Sequence, residues 1–292
     1  MTDQSTPPGP DSGAKPDLGV IDAYTPAQMA RRVETAGVAK AGLPLVPLFA
    51  LAVLAGAFIA FGAMFYTVAM TNHGLGLGPA RVLGGAVFSL GLILVVIGGA
   101  ELFTGNVLLV MGWADGKIAT KGVLRNWGVA YAGNFVGAVG MAVLAYASSY
   151  MDMGSGAVGA TAIKIATAKV ELDFMTAFFR GVLCNTLVCL AVWLCFAAHT
   201  VVGKILAILF PISAFVALGF EHSIANMYFI PVGMLAAGND AYVAVAGLLP
   251  AGAGLTVGGL LANLVPVTLG NIVGGGLFVA ATYYLVYLRP HS

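Results

Sequence analysis

Gly99-Ala100-Glu101-Leu102-Phe103-Thr104-Gly105-Asn106 and Gly219-Phe220-Glu221-His222-Ser223-Ile224-Ala225-Asn226 share the pattern G-x-E-x-x-x-x-N. Each shared position recurs 120 residues later: 99 and 219, 101 and 221, 106 and 226. A second pair follows in the same order, Gly133-Asn134-Phe135-Val136-Gly137 and Gly270-Asn271-Ile272-Val273-Gly274, both G-N-x-V-G. Two ordered motif pairs divide the chain into two similar units. Around them, apolar stretches cover 43–70, 82–113, 122–150, 174–198, 202–238 and 258–288. A membrane crossing needs about 20 such residues. The second and fifth stretches exceed one straight crossing, and they hold the two glutamate motifs.

Three crossings per unit is an odd number, so the second unit enters the membrane upside down relative to the first. The expected fold is an all-α membrane protein with six transmembrane helices in a 3+3 inverted repeat. Its second and fifth helices are broken at the glutamate motifs. Repeats of this kind, with interrupted helices at matching places, put a transport pathway near the bilayer midplane. Non-helical backbone at that depth survives only where it is buried or lines a cavity.

Composition agrees. Of 292 residues, 60% are hydrophobic and only 9% charged, with a mean hydropathy of +0.96. A soluble domain carries about 25% charged residues. The 40 glycines are roughly 14% of the chain, about twice the usual share, and suit helices whose backbones approach closely. A net charge of +1 leaves no basic excess for nucleic acid. Cys184, Cys189 and Cys195 all fall in the fourth stretch at no zinc or redox spacing, and read as small packing residues. No metal, cofactor, nucleophile constellation or phosphate loop is indicated, so an enzyme is not expected.

Residues 1–24, rich in Pro, Gly, Asp and Ser, read as a disordered tail without the apolar core of a signal peptide. Thr25-Pro26-Ala27-Gln28 has the form of a capping box with proline at the first helical position. It predicts an interfacial amphipathic helix over 25–41, with Arg31, Arg32 and Lys40 beside Met29, Val33 and Val38. The channel domain then spans 42–288 and a short C-terminus 289–292. With the N-terminus inside, nine cations (Lys15, Arg31, Arg32, Lys40, Lys117, Lys121, Arg125, Lys204, Arg289) are cytoplasmic and four (Arg81, Lys164, Lys169, Arg180) are outside. That asymmetry puts both termini in the cytoplasm of a multi-pass plasma-membrane protein.

Glu101 and Glu221 lie at a depth where an acidic residue costs about 2.5–3.5 kcal/mol on insertion scales. Their equivalence in both units favours a structural role: accepting the backbone N–H groups freed where the helices break, alongside Asn106 and Asn226. His222 is different, because Leu102 stands in its place in the first unit. A histidine at a predicted break, changing charge near neutral pH, is a candidate for the transport step. Thr104 and Asn185 are neutral polar candidates beside it. Lys164 and Lys169 read as the solvated face of a surface helix, from which Lys169 draws anions to an outer vestibule.

Leu102-Phe103-Thr104, Cys184-Asn185, Phe220 to Met227 and Gly270-Asn271-Ile272-Val273-Gly274-Gly275 resemble signature segments of the formate/nitrite transporter family over residues 26 to 288. The resemblance implies a homopentamer of aquaporin-like protomers, each with its own pore in a bacterial inner membrane. It implies that His222 is the pore histidine, with Thr104 and Asn185 as neighbours and Lys169 in the vestibule. Leu92 and Phe215 match a cytoplasmic constriction, and Phe103 and Val188 a periplasmic one. The run Phe220 to Met227 followed by Phe229-Ile230-Pro231 is most similar to formate channels, with nitrite and hydrosulfide channels as the alternatives. Arg180 departs from the family pattern.

The expected substrate is a small weak-acid anion moving with protons. A carboxylic acid of pKa near 4 is about a thousandfold deprotonated at pH 7, a gap of about 4 kcal/mol. A proton shared or donated at His222 narrows it, while Thr104 and Asn185 hold the substrate oxygens. An aquaporin-type neutral-solute channel would show two Asn-Pro-Ala motifs, and the sequence has none.

Overall fold

The computed structural model describes residues 23–247 and 254–289, and among these there are helices and turns but no strand. In chain order the helices are α1 (Pro26–Ala41), α2 (Leu45–Met70), α3 (Leu77–Phe88), α4 (Leu90–Gly98), α5 (Phe103–Asn106), α6 (Val110–Ala114) and α7 (Thr120–Ala147). They continue as α8 (Ala157–Val170), α9 (Phe174–Ala197), α10 (Val201–Ala217), α11 (Ser223–Ala237), α12 (Asp240–Ala246), α13 (Val257–Val273) and α14 (Thr282–Tyr287). A π-helical stretch, Gly274–Ala281, joins the last two.

Five helical runs are long and apolar enough to cross a membrane: Leu45–Met70, Leu77–Gly98, Thr120–Ala147, Phe174–Ala197 and Val257–Tyr287. The pair α11–α12, bent by 108°, raises the number to six if it counts as one. The sequence's fifth apolar stretch is two shorter pieces, α10 and α11, separated by residues 218–222.

α1 begins on the expected capping box. Gln28 N–H donates to Thr25 Oγ1 at 3.4 Å and Thr25 N–H to Gln28 Oε1 at 2.9 Å. Its inward face carries Met29, Ala30, Val33, Glu34 and Gly37, a spacing that keeps one helical stripe against the core. Residues 1–22 of the expected tail lie outside the described residues, as do 290–292. Tyr24, assigned to that tail, is instead docked. Its N–H donates to Ala197 O at 3.1 Å, its ring lies 4.2 Å from that of His199, and Arg32 stacks over it at 4.0 Å.

The G-N-x-V-G motifs explain how the units pack. A Cβ added at Gly137 would stand 2.0 Å from Val53 O of α2, and one at Gly274 would stand 2.1 Å from Val182 O of α9. Only glycine allows those backbones to meet. Each motif therefore seats one long helix on another, and leaves its asparagine between them.

α8 corrects an expectation. Rather than presenting a solvated face, it buries Ala157, Val158, Ala160, Ala162, Ile163 and Ala166. Its Ala166 meets Gly233 of α11, where an added Cβ would come within 2.2 Å. Lys164 stays exposed, whereas Lys169 turns inward.

Candidate functional site

α4 ends at Gly99 in the left-handed conformation (φ 75°), and helix resumes at Phe103. Asn134, between the glycines of its motif, spans this break. Its Oδ1 accepts from Phe103 N–H at 2.9 Å, and its Nδ2 donates to Glu101 O at 3.0 Å and Ala52 O at 2.7 Å. α10 ends near Gly219, again left-handed (φ 73°), and helix resumes at Ser223. Asn271 spans that break identically. Its Oδ1 accepts from Ser223 N–H at 2.9 Å, and its Nδ2 donates to Glu221 O at 3.0 Å and Gly181 O at 2.8 Å. The asparagines, not the glutamates, thus satisfy backbone at the breaks.

The glutamate side chains do something else, and the expectation that they accept backbone N–H groups is corrected. Glu101 accepts from Lys40 Nζ at 2.5 Å and Asn106 Nδ2 at 2.8 Å. Glu221 accepts from Lys169 Nζ at 3.0 and 3.1 Å and Asn226 Nδ2 at 2.7 Å. Two further asparagines close each set. Asn126 bonds Asn106 and donates to Lys40 O; Asn263 bonds Asn226 and donates to Lys169 O. Both carboxylates are buried, where a charge left without a cation and donors is strongly destabilising.

His222 caps α11. Ala225 N–H donates to its Nδ1 at 3.1 Å, and its Nε2 lies 2.9 Å from Thr104 Oγ1. A backbone N–H can only donate, so Nδ1 is the acceptor and a neutral ring carries its hydrogen on Nε2, facing Thr104. The two breaks meet through this one bond. Asn185 makes no hydrogen bond to His222 among the described residues. Its Nδ2 donates to Thr104 O at 3.2 Å and Asn271 O at 2.7 Å, so it ties the first break to the last long helix, leaving Oδ1 buried without a partner among the described residues.

Three cavities adjoin, the smallest sharing wall residues with each of the other two. On the α8 side, one of about 200 Å³ is walled by Arg81, Lys169, Arg180, Phe215, His222 and Phe229 among others. On the α1 side, one of about 320 Å³ is walled by Lys40, Leu92, Glu101, Leu102 and Lys204 among others. Between them remain about 10 Å³, enclosed by seven apolar side chains and His222. Leu92, Val188 and Phe215 belong to this waist. The expected pairing into two constrictions is corrected in two respects. Phe215 also lines the Lys169 cavity, not that of Lys40. Phe103 lines none of the three cavities, because its ring is packed at 5.0 Å from Tyr131 and 6.1 Å from Trp127; its neighbour Leu102 faces the waist. Arg180 faces the α8-side cavity together with Arg81, a cation the sequence reading counted but gave no role.

Outside the apolar body, α1 is tied down by charge. Lys117 bridges Glu34 at 2.7 Å and Asp115 at 2.9 Å. The hydrogen bond from Lys117 holds the Asp115 carboxyl below its ordinary range, and the bond to Glu34 raises the Lys117 ammonium above its own.

A family model described as formate/nitrite transporter matches residues 27–285. This chain belongs to that family. The formate channel FocA of Escherichia coli is 41% identical over 277 residues, covering 93% of this chain and 97% of that protein. A probable formate transporter of Methanothermobacter thermautotrophicus is 41% identical over 288 residues, covering 91% and 97%. Among solved structures, a pentameric formate channel with formate bound matches with a TM-score of 0.78 at 41% identity, over 84% of this chain and 98% of that one. An ion channel of the same family matches with a TM-score of 0.76 at 29% identity, over 90% and 99%. The chain is accordingly an integral membrane protein of a transporter family, with no catalytic role implied.

Proposed function

We propose that this protein is a formate channel of a bacterial plasma membrane, a homopentamer with one pore per protomer and both termini in the cytoplasm. Six crossings arranged as a 3+3 inverted, aquaporin-like repeat account for the duplicated bonding around Glu101 and Glu221, with α3–α6 as one broken span and α10–α11 as the other. The observation that carries the reading is the 2.9 Å contact between Thr104 and His222 beside a waist otherwise walled by apolar groups. A bare carboxylate is unfavourable in such a waist, and His222 is the polar group its wall offers. The Nε2–H and the Thr104 hydroxyl form a donor chain. Delivering a whole proton requires the doubly protonated ring, whose Nδ1–H would face the Ala225 N–H donor to donor. Proton delivery therefore comes with opening of the α11 cap.

The test uses the full-length protein in proteoliposomes, following formate flux and internal pH together. Asparagine is itself a good helix cap, so His222→Asn keeps the cap while removing the proton. Formate should then move electrogenically or lose its dependence on pH, whereas His222→Phe should block the waist. Unchanged electroneutral flux through His222→Asn overturns the proton role. Glycerol flux in place of formate flux by the unaltered protein overturns the substrate reading.

A further inference from the structure

Beside the phenol of Tyr66, five ionisable side chains line the α8-side cavity: Arg81, Lys169, Arg180, Glu221 and His222. Lys169 places its ammonium on both oxygens of Glu221, so its charge is matched within the wall. Neither arginine has an ion-pair partner among the described residues. Two positive charges are therefore uncompensated on this side. On the α1 side Lys40 is likewise matched by Glu101, leaving Lys204.

We propose that Arg81 and Arg180 form the anion-capture site of this vestibule, a subsite for the carboxylate of a small monocarboxylate, with Lys169 held out of that role by Glu221. This rests on the channel reading above. Both arginines are anchored to the break that carries His222. The Arg81 guanidinium lies against Gly219, where an added Cβ would stand 3.4 Å from it, and Arg180 O accepts the Glu221 N–H at 3.2 Å. Arg81 is half-buried and Arg180 exposed. Phe88, Phe215 and Phe229 supply low-dielectric wall around them, a setting in which charge of one sign concentrates counter-ions. Guanidinium presents a planar fork matched to a carboxylate and keeps its proton at any working pH. It holds the anion without competing with His222 for the proton.

The experiment measures initial formate uptake into proteoliposomes over a range of formate concentrations, at low and high ionic strength. It compares the unaltered protein with Arg81→Gln, Arg180→Gln, the double variant and the double Arg→Lys variant. Arg31→Gln on α1, exposed and outside the cavities, serves as the control. Each glutamine should raise the half-saturating concentration at low salt by about tenfold, the lower end of electrostatic steering. Maximal flux should fall less than that. High salt should shrink the difference, and the double lysine variant should keep the salt dependence. Single variants decide the matter if the double variant does not assemble. Half-saturation and salt dependence like the unaltered protein's in Arg81→Gln and Arg180→Gln overturn the proposal. Unaltered protein that moves no formate overturns the channel's substrate instead, and the same ratios measured with nitrite and hydrosulfide still score the arginines.

Discussion

Around Glu101 and around Glu221 the chain makes the same bonds from lysine, from the asparagine five residues on, and through the asparagine of the G-N-x-V-G motif to the backbone. At the next residue the match ends: Leu102 faces the waist from one break and His222 from the other. The surroundings differ as well. Lys40 also donates to Asn106 Oδ1, while Asn226 Oδ1 has no partner among the described residues. A duplicated scaffold thus holds two different side chains at one point, which separates what keeps the breaks folded from what acts on a substrate.

The strongest way to break this comparison is to remove the scaffold on each side. Asn134→Ala and Asn271→Ala each strand one backbone N–H and the carbonyl of Glu101 or Glu221 in a buried place, at about 1–3 kcal/mol per group. Each should lower the unfolding temperature of the detergent-solubilised oligomer severely, and by nearly the same amount. A large inequality would mean that the two breaks are not equivalent supports. The glutamates should sharpen the contrast at smaller amplitude. Glu221→Gln should destabilise more than Glu101→Gln, by about 2 kcal/mol against about 1, because the Lys169 side chain is 14% exposed and Lys40 34%. Equal losses in a melting comparison would count against a role for burial.

The smallest effect concerns α1, whose last turn supplies Lys40 to the first break alone. With Asp115 held low and Lys117 held high, the Glu34–Lys117–Asp115 tie is complete between their ordinary values of 3.8 and 10.5. The Asp115 contribution is lost as pH falls below the first, and the Lys117 contribution as pH rises above the second. A spin-label distance from α1 to the turn at 115–117 should hold steady across neutral pH and lengthen at those extremes. Lys117→Met should abolish that dependence, and a distance that changes near pH 6 would assign the tie elsewhere.

The positions of both breaks, the capping box of α1 and the singularity of His222 were all legible in the sequence, because repetition and helix-end chemistry act over short spacings. The lysine partners of Glu101 and Glu221 were not, since they arrive from residues 61 and 52 positions away. A signal exists for part of each set. Lys40 and Lys169 are separated by 129 residues, as are Ala52 and Gly181, and Asn126 and Asn263 by 137, as are Asn134 and Asn271. Extending the repeat at the 137-residue offset finds Asn126 and Asn263; the 129-residue offset of the lysines is shared only with Ala52 and Gly181, whose equivalence shows in the bonds from Asn134 and Asn271. Which of two adjacent residues faces the waist, Leu102 or Phe103, depends on helix phase after a break, and a break erases the periodicity that would fix it.

The waist of about 10 Å³ bears on how well the molecule keeps charge apart when nothing is passing. A water needs at least about 10–15 Å³ of such space, so the waist has room for one water at most. Moving one charge down a membrane potential releases about 2.3 kcal/mol per 100 mV, and a permanently wet hole of this kind would let a cell's stored voltage drain away. A solute larger than a water should therefore pass only when Leu92, Phe215 and their neighbours step aside. Throughput should accordingly climb steeply with temperature, as it does for a turnstile and not for an open pipe.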